Sequence, residues 1–318
     1  MKPVRNGQLV TMTTHIEHKS SQTVLEYLCN RFSYHNETEW LDRIASGKVK
    51  VNGLKPSGGQ PLRAGDEMTY TTEAWEEPEV NKNYRIVYED EALLVVSKPA
   101  PLPVHAIGVY FQNTLMHLLR AEKPEADLYH LVHRIDSETS GLLLIAKDKK
   151  HMPNLTHQWA DGQVQKSYQA IVFGHFEPRQ RRVEKPIATI RGGAIRMKAG
   201  IDSVNGKPSV TDFECLETKG KFSLVEAKPL TGRTHQIRVH LESEGHSIVG
   251  DKLYSGNQET FLRFVAEGWT DWLAEQVLLP RMALHASKLE FSHPVTGTRM
   301  TLEDPLPVEL KTFWDNAG

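Results

Sequence analysis

Leu131-Val132-His133-Arg134-Ile135-Asp136-Ser137-Glu138-Thr139-Ser140-Gly141 is the densest polar stretch of the chain, and an unbroken apolar run, Leu142-Leu143-Leu144-Ile145-Ala146, follows it at once. A short apolar run bounded by turn residues reads as a strand buried on both faces. A loop feeding such a strand is held rigidly, which makes it a good seat for a working carboxylate. Arg134 and Asp136 alternate with Ile135, so in an extended loop they share one face while Ile135 packs inward. Ser137, Thr139 and Ser140 are short hydroxyls able to fix a carboxylate or close the loop. Taken alone, the stretch also fits an ordinary Asx-type turn before a strand. Its neighbours decide the matter.

Working outward, Arg85-Ile-Val-Tyr-Glu89, Leu93-Leu-Val-Val-Ser97 and Tyr168-Gln-Ala-Ile-Val-Phe173 are further β-rich or apolar runs. Several lack alternation, as expected of doubly covered strands. Residues 234–244 read as a helix with Thr234 as N-cap, Ile237 and Leu241 four apart, and Gly245 after its end. Leu289-Glu-Phe-Ser-His293 and Arg299-Met-Thr301 flank a hairpin turn at Pro294–Gly297. The expected fold class is α+β, with a large mixed or antiparallel sheet over residues 84–318. Phe261, Leu262, Phe264 and Val265 have helical spacing and, with Trp269 and Trp272, read as local core.

Upstream, the texture differs. Residues 1–15 are polar and aperiodic and are expected to form a flexible tail. Thr23-x-x-Glu26 and Asn36-x-x-Glu39 are capping boxes, each opening a short helix, and Gly47 stands where the second stops. Val49 and Val51 alternate with lysines up to Asn52-Gly53, a hairpin signal. These elements make a compact module over residues 16–72. Residues 73–83 contain Glu73, Glu76, Glu77, Glu79 and Pro78 and read as an acidic linker.

Composition bounds the function. The chain has 318 residues, 39% hydrophobic and 25% charged, values of an ordinary globular protein rather than a disordered one. No apolar run approaches the ~20 residues that span a bilayer. The first fifteen residues have no apolar core, so no signal peptide is expected. Cys29 and Cys215 lie far apart, the pattern of a reducing cytoplasmic compartment. Fifteen histidines occur without His-Glu-x-x-His or a cysteine pair, so no metal site is expected. The net charge of −2 argues against a protein that coats nucleic acid nonspecifically. Yet Arg179, Arg181, Arg182, Lys185, Arg191, Arg196, Lys198 and Lys207 face only Glu184 and Asp202, a local excess of six. That segment is either a solvated hairpin or a phosphate-contacting surface.

His133-Arg-Ile-Asp-x-x-Thr-Ser-Gly141 resembles the central signature of the RluA-type pseudouridine synthases, with Ile135 where that family usually has leucine. Lys98-Pro99, Lys166-Ser-Tyr168-x-Ala170, Thr231-Gly-Arg233-Thr-His-Gln-Ile-Arg238, Gly250-Asp251-x-x-Tyr254 and Leu284-His-Ala286 resemble its other motifs, in the same order. Gly47-Lys-Val-Lys-Val-Asn-Gly53 and Leu62-Arg-Ala-Gly-Asp66 resemble the alpha-L RNA-binding module of ribosomal small-subunit protein four. Seven basic residues balance seven acidic ones over residues 16–72, and Asn36-Glu37 stands where that module usually has Ser-Arg.

The resemblance implies isomerisation of uridine within RNA. The N1–C1′ bond breaks, the uracil turns and rejoins through C5, and no cofactor is required. Asp136 would be the essential carboxylate, as nucleophile or as base and charge stabiliser. Arg233 would pair with it, and Tyr168 would stack on the uracil and help remove the C5 proton. His133, Arg134 and Ile237 would contact substrate, with Arg134 filling the space of a displaced nucleotide. Arg181, Arg182 and Arg196 are the candidate phosphate contacts. The module favours ribosomal RNA, while Pro103-Val-His105-x-x-Gly108-x-Tyr110 resembles a branch that includes transfer-RNA enzymes. The partner is RNA, with no membrane and no obligatory protein, and monomer is the default. An inactive RNA-binding protein and an N-glycosidic hydrolase are the rival classes; the hydrolase needs a second carboxylate, for which the motifs offer only Glu138.

Overall fold

Val10 to His15, a stretch with no apolar periodicity, forms a β-strand, β1, paired in antiparallel register with a strand more than fifty residues away. The computed structural model describes residues 10–16, 22–32, 35–72, 77–190, 195 and 198–317. Its first unit comprises Met1–Pro78 and Ala106–Phe111. Here β1 (Val10–His15) is followed by α1 (Val24–Arg31), α2 (Glu37–Ala45), β2 (Val49–Val51) and β3 (Glu67–Thr72), with sheet order β1-β3-β2. Both capping boxes are made: the Thr23 and Asn36 side chains accept from the third helical N–H, and Glu26 and Glu39 reach back to the cap. Trp40, Leu28, Val24, Val49 and Met68 fill the core, with Tyr70 edge-on to Trp40 at 4.9 Å. The expected tail is therefore structured from residue 10. Its β-branched threonines suit a strand, but the partner that supplies its hydrogen bonds is distant in sequence.

The second unit comprises Glu79–His105 and Gln112–Gly318. It runs β4 (Arg85–Glu89), β5 (Leu93–Lys98), α3 (Leu115–Glu122), β6 (His130–Leu131), β7 (Ser140–Ala146), α4 (Met152–Ala160) and β8 (Gln165–Phe173). Then come β9 (Gln180–Glu184), β10 (Ile187–Thr189), β11 (Ala199–Ile201), β12 (Val210–Lys219), β13 (Phe222–Pro229) and α5 (Gln236–Ser243). It ends with α6 (Gln258–Glu267), α7 (Asp271–Val277), β14 (Leu284–Ser292), β15 (Arg299–Glu303) and α8 (Val308–Asp315). The large sheet has the order β4-β5-β7-β14-β8-β13-β12-β9, with β15 on β14 and β6 on β7. Only the β7–β14 pairing is parallel among these, so the sheet is mixed and the class α+β, as expected.

The apolar runs explain the centre. Leu94, Val96, Leu143 and Ile145 point into a core under α3 with Leu115 and Leu119. Their neighbours Leu93, Val95, Leu142 and Leu144 point the other way, into a core with Leu155 of α4 and with Leu289 and Phe291. Each such side chain contributes about 1.5–3 kcal/mol on burial, and the two-sided demand explains the lost alternation. Register then places the functional ends: Ala286 of β14 lies opposite Gly141 of β7 on one side and Tyr168 of β8 on the other.

Three expectations need correcting. Residues 79–83 of the supposed linker belong to the second unit, where Val80 packs under α3 and the Asn81 N–H donates to the Pro101 carbonyl. Residues 106–111, expected within the second domain, group with the first unit. The apolar residues of the α6–α7 region are only partly core: Phe261 packs inward, whereas Leu262, Val265 and Trp269 are 42%, 64% and 40% exposed.

Candidate active site

The loop before β7 is tied down at almost every residue. His133 accepts a hydrogen bond from the Leu144 N–H at Nε2 (3.0 Å) and stacks on Trp159 at 4.7 Å. Ile135 packs into the core under α3, as its alternation with Arg134 and Asp136 requires. The Thr139 N–H donates to the Asp136 carbonyl (3.1 Å), and the Leu102 N–H donates to that of Ser137 (2.8 Å). Lys98, wholly buried, donates its ammonium to the carbonyls of Pro99, Leu102 and Ser137 at 2.9, 2.8 and 3.0 Å. Glu138 is committed to Lys252 (2.8 Å) and to the Met282 N–H (3.2 Å). It is therefore not a free second carboxylate. Gly141 has φ +109, and a Cβ there would stand 2.2 Å from the Ala286 carbonyl oxygen.

Asp136 emerges from this loop with its side chain 33% exposed, open to a ligand on one side. On the other, Arg238 of α5 donates from Nη1 to Oδ2 at 2.8 Å. The same guanidinium forks onto Asp251 through Nε (2.6 Å) and Nη2 (2.9 Å) and lies over the Tyr254 ring at 4.8 Å. Asp251 also accepts the N–H groups of Leu253 and Tyr254. Burial alone would lower the Arg238 guanidinium, but the Asp251 and Asp136 carboxylates outweigh it and raise it. Burial would likewise raise Asp251, yet Arg238 and these donors hold it below the usual carboxylate range. A buried charge paired in this way is a rigid positioning device.

His235 completes the ring around Asp136. Its backbone is left-handed, φ 56, at the start of α5, and its Nδ1 is 3.0 Å from the Tyr254 hydroxyl. Its Nε2 lies 3.9 Å from Asp136 Oδ2. Burial, assisted by Arg238, pushes the imidazole down to about 4, so it is neutral at neutral pH. Tyr168 reaches the same centre from β8. Burial and then the Asp136 charge raise its hydroxyl, so at neutral pH it offers a ring face and an O–H, not a phenolate.

Comparison with known proteins settles what this arrangement belongs to. A profile described as RNA pseudouridylate synthase matches residues 92–243. The ribosomal large subunit pseudouridine synthase C of Vibrio cholerae is 33% identical over 314 residues, covering 93% of both chains. The protein of that name from Escherichia coli K12 is 36% identical over 281 residues, 84% of each. The chain belongs to the RNA pseudouridine synthase family. Such synthases are isomerases that convert uridine in RNA to pseudouridine. Two human structures agree: RNA Pseudouridylate Synthase Domain Containing 1 is 28% identical with TM-score 0.58, covering 74% of this chain and 89% of its own. RNA Pseudouridylate Synthase Domain Containing 4 is 27% identical with TM-score 0.55, covering 71% and 90%.

Against the synthase fold, the expected site residues divide. The Asp136 charge acts on Tyr168, and Arg134, two residues before Asp136 in the loop, stands exposed with Nη1 3.3 Å from His105 Nε2. Arg233 does not meet Asp136. It is exposed, its Nε donates to the Pro208 carbonyl (3.2 Å), and its N–H donates to Gln236 Oε1, which also accepts from the Thr231 hydroxyl. These ties keep the turn closed through His235 instead of letting Thr234 cap the helix, and that phase presents Arg238 to the loop. Of the two arginines in the motif, the second is the partner, which only helix phase could reveal.

His133 and Ile237 make their contacts within the protein. His133 spends its ring nitrogen and its ring face inside the protein, and burial with the nearby Lys166 charge pushes it down to about 3. Ile237 is buried among Leu241, Val249 and Leu284. Four of the eight basic residues are paired among the described residues: Arg179 with Glu214 (3.8 Å), Arg181 with Glu244 (2.6 Å), Lys185 with the same carboxylate (2.7 Å), and Arg182 with Glu184 (2.7 Å) and Asp212 (3.7 Å). Arg181 and Arg182 lie on β9, the sheet's edge, where charge discourages strand addition. Arg196 lies outside the described residues. Among the described residues no cluster of histidine, cysteine or carboxylates could hold a metal, and no helix is long and apolar enough to cross a membrane.

Proposed function

We propose that the chain isomerises uridines of large-subunit ribosomal RNA, with Asp136 as the carboxylate at the reacting sugar. The observation that carries this is the seating of Asp136: open on one side and held on the other by an arginine that a buried aspartate fixes. The names of the Vibrio and Escherichia relatives support the choice of RNA. Breaking the N1–C1′ bond gives the sugar oxocarbenium character, which an adjacent carboxylate stabilises or captures at C1′. Arg238 orients that carboxylate without covering its free oxygen. Tyr168 offers its ring to the uracil while the base turns, and its O–H is a donor to a carbonyl of the ring. Arg134 fills the space that the flipped nucleotide leaves in the RNA. Atoms balance within the nucleotide, so no redox partner or group donor enters.

The first unit acts in this reading as an alpha-L-type RNA-binding module. The protein works as a monomer in the cytosol, on RNA and without an obligatory protein partner. The experiment is pseudouridine mapping of total RNA from cells with and without the gene, complemented by the wild type or by Asp136→Asn. Sites in large-subunit ribosomal RNA that vanish on deletion and return only with the wild type support the proposal. Sites lost from transfer RNA instead overturn the choice of RNA, and restoration by Asp136→Asn removes Asp136 from its role.

A further inference from the structure

Lys166 is the unusual charge beside this site. It sits on β8 two residues before Tyr168, so the two side chains leave the same face of the strand. Its ammonium lies over the Trp159 ring at 5.9 Å, on the aromatic against which His133 stacks. It has neither a hydrogen bond nor an ion pair with any described residue, and burial is the one influence on its charge. Elsewhere around the loop the lysines are spent: Lys98 on three carbonyls, Lys252 on Glu138. The Asp136 charge acts on Tyr168 and the Lys166 charge on His133, and residues 133 and 136 are three apart in one loop.

A half-buried cation without an anion is costly unless a ligand supplies one. The anion that an RNA substrate brings to the neighbourhood of a displaced uridine is a backbone phosphate. We propose that Lys166 holds a phosphate of the RNA strand adjoining the target nucleotide. This rests on the RNA reading above. The aromatic beneath the ammonium fixes its position without neutralising it, leaving its N–H donors for the phosphate oxygens.

Burial lowers the Lys166 ammonium to about 8, so it is charged at neutral pH and loses its proton just above. The titratable neighbour it influences, His133, is already neutral in that range. Lys288 and Glu290 of β14 pair with Ser167 and Gln165, on the opposite face, and are bonded to each other at 2.8 Å. Tyr168, on the same face, is a neutral phenol there.

The test uses the full-length chain with Asp136→Asn, so that RNA is bound without turnover, and protein-free large-subunit ribosomal RNA as probe. Lys166, Lys166→Met and Lys166→Arg forms are titrated across salt concentration and pH. Loss of one phosphate contact lowers the log–log salt slope by ~0.7 for a single strand, and affinity should fall about tenfold. Lys166→Arg should keep the wild-type slope, and only the lysine form should weaken as pH rises through about 8. Thermal melting should be unchanged or raised in Lys166→Met, because a poorly solvated charge is removed. A wild-type salt slope in Lys166→Met overturns the inference alone if the Asp136 enzyme converts uridines in this RNA. Failure of that enzyme to convert any uridine overturns the RNA reading, and this inference with it.

Discussion

Arg238 and Asp251 form a two-point fork, Nε to Oδ2 at 2.6 Å and Nη2 to Oδ1 at 2.9 Å, which leaves Nη1 of the same guanidinium for Asp136. The pairing makes Asp251, which is buried and touches no substrate, the residue that aims the open carboxylate. Removing one member of a buried pair leaves the other uncompensated, at about 3–5 kcal/mol. Asp251→Asn should therefore lower stability by about that amount in chemical denaturation. In the folded fraction, tritium release from C5-labelled uridine should fall more in kcat than in KM.

The two arginines of the motif should separate cleanly. Arg238→Lys replaces a three-donor planar fork with a point charge that cannot serve Asp251 and Asp136 together. Turnover should drop about 100-fold, some 2.7 kcal/mol of transition-state stabilisation. Arg233→Lys, on an exposed arginine bonded through its side chain to the Pro208 carbonyl, should stay within a few-fold of wild type. Equal losses in single-turnover assays of both variants would contradict the assignment.

At Gly141 the prediction is structural. Its φ of +109 lies in the region L side chains avoid, and an added Cβ would meet the Ala286 carbonyl oxygen at 2.2 Å and its nitrogen at 2.7 Å. Backbone and not a flexible side chain is the obstacle, so Gly141→Ala should cost about 3 kcal/mol or more. Because Ala286 also registers with Tyr168, activity per folded molecule should fall as well.

Stability should depend on pH through two partly buried histidines. His235 and His133 are lowered in the folded chain to about 4 and about 3, from 6.5. The unfolded chain therefore binds more protons below pH 6.5, and stability rises with pH across the window from about 4 to 6.5. The slope approaches about 1.4 kcal/mol per pH unit for each histidine. Urea unfolding at pH 4.5, 5.5 and 6.5 reads it, and His133→Gln should flatten the profile relative to wild type.

The basic segment should matter less to RNA than its charge count implies. Arg181 is bonded to Glu244 and to the Glu177 carbonyl, so its charge is matched within the fold. Arg181→Ala should leave the salt slope of RNA binding unchanged, while lowering stability modestly through the loss of its partly buried pair. A slope reduced by ~0.7 would return Arg181 to the RNA surface.

Much of this protein was legible in local patterns. The capping boxes at Thr23 and Asn36, the doubly buried runs at Leu93 and Leu142, and the alternation of Arg134, Ile135 and Asp136 all depend on residues a few positions apart. The choice of Asp136 and Tyr168 rested instead on the resemblance of their motifs to those of the synthase family. What only the tertiary structure decided are pairings across the chain. Arg238 and Asp136 are 102 residues apart, and whether the first or second arginine of the motif turned inward depended on a left-handed His235 and a side-chain clasp by Gln236. Residues 10–15 became a strand because β3 offered an edge. The basic residues around β9 met Glu214, Glu244 and Asp212, acids from distant segments. Local sequence sets which backbone shapes are cheap; the anion that meets each cation is set by packing, which no spacing rule encodes.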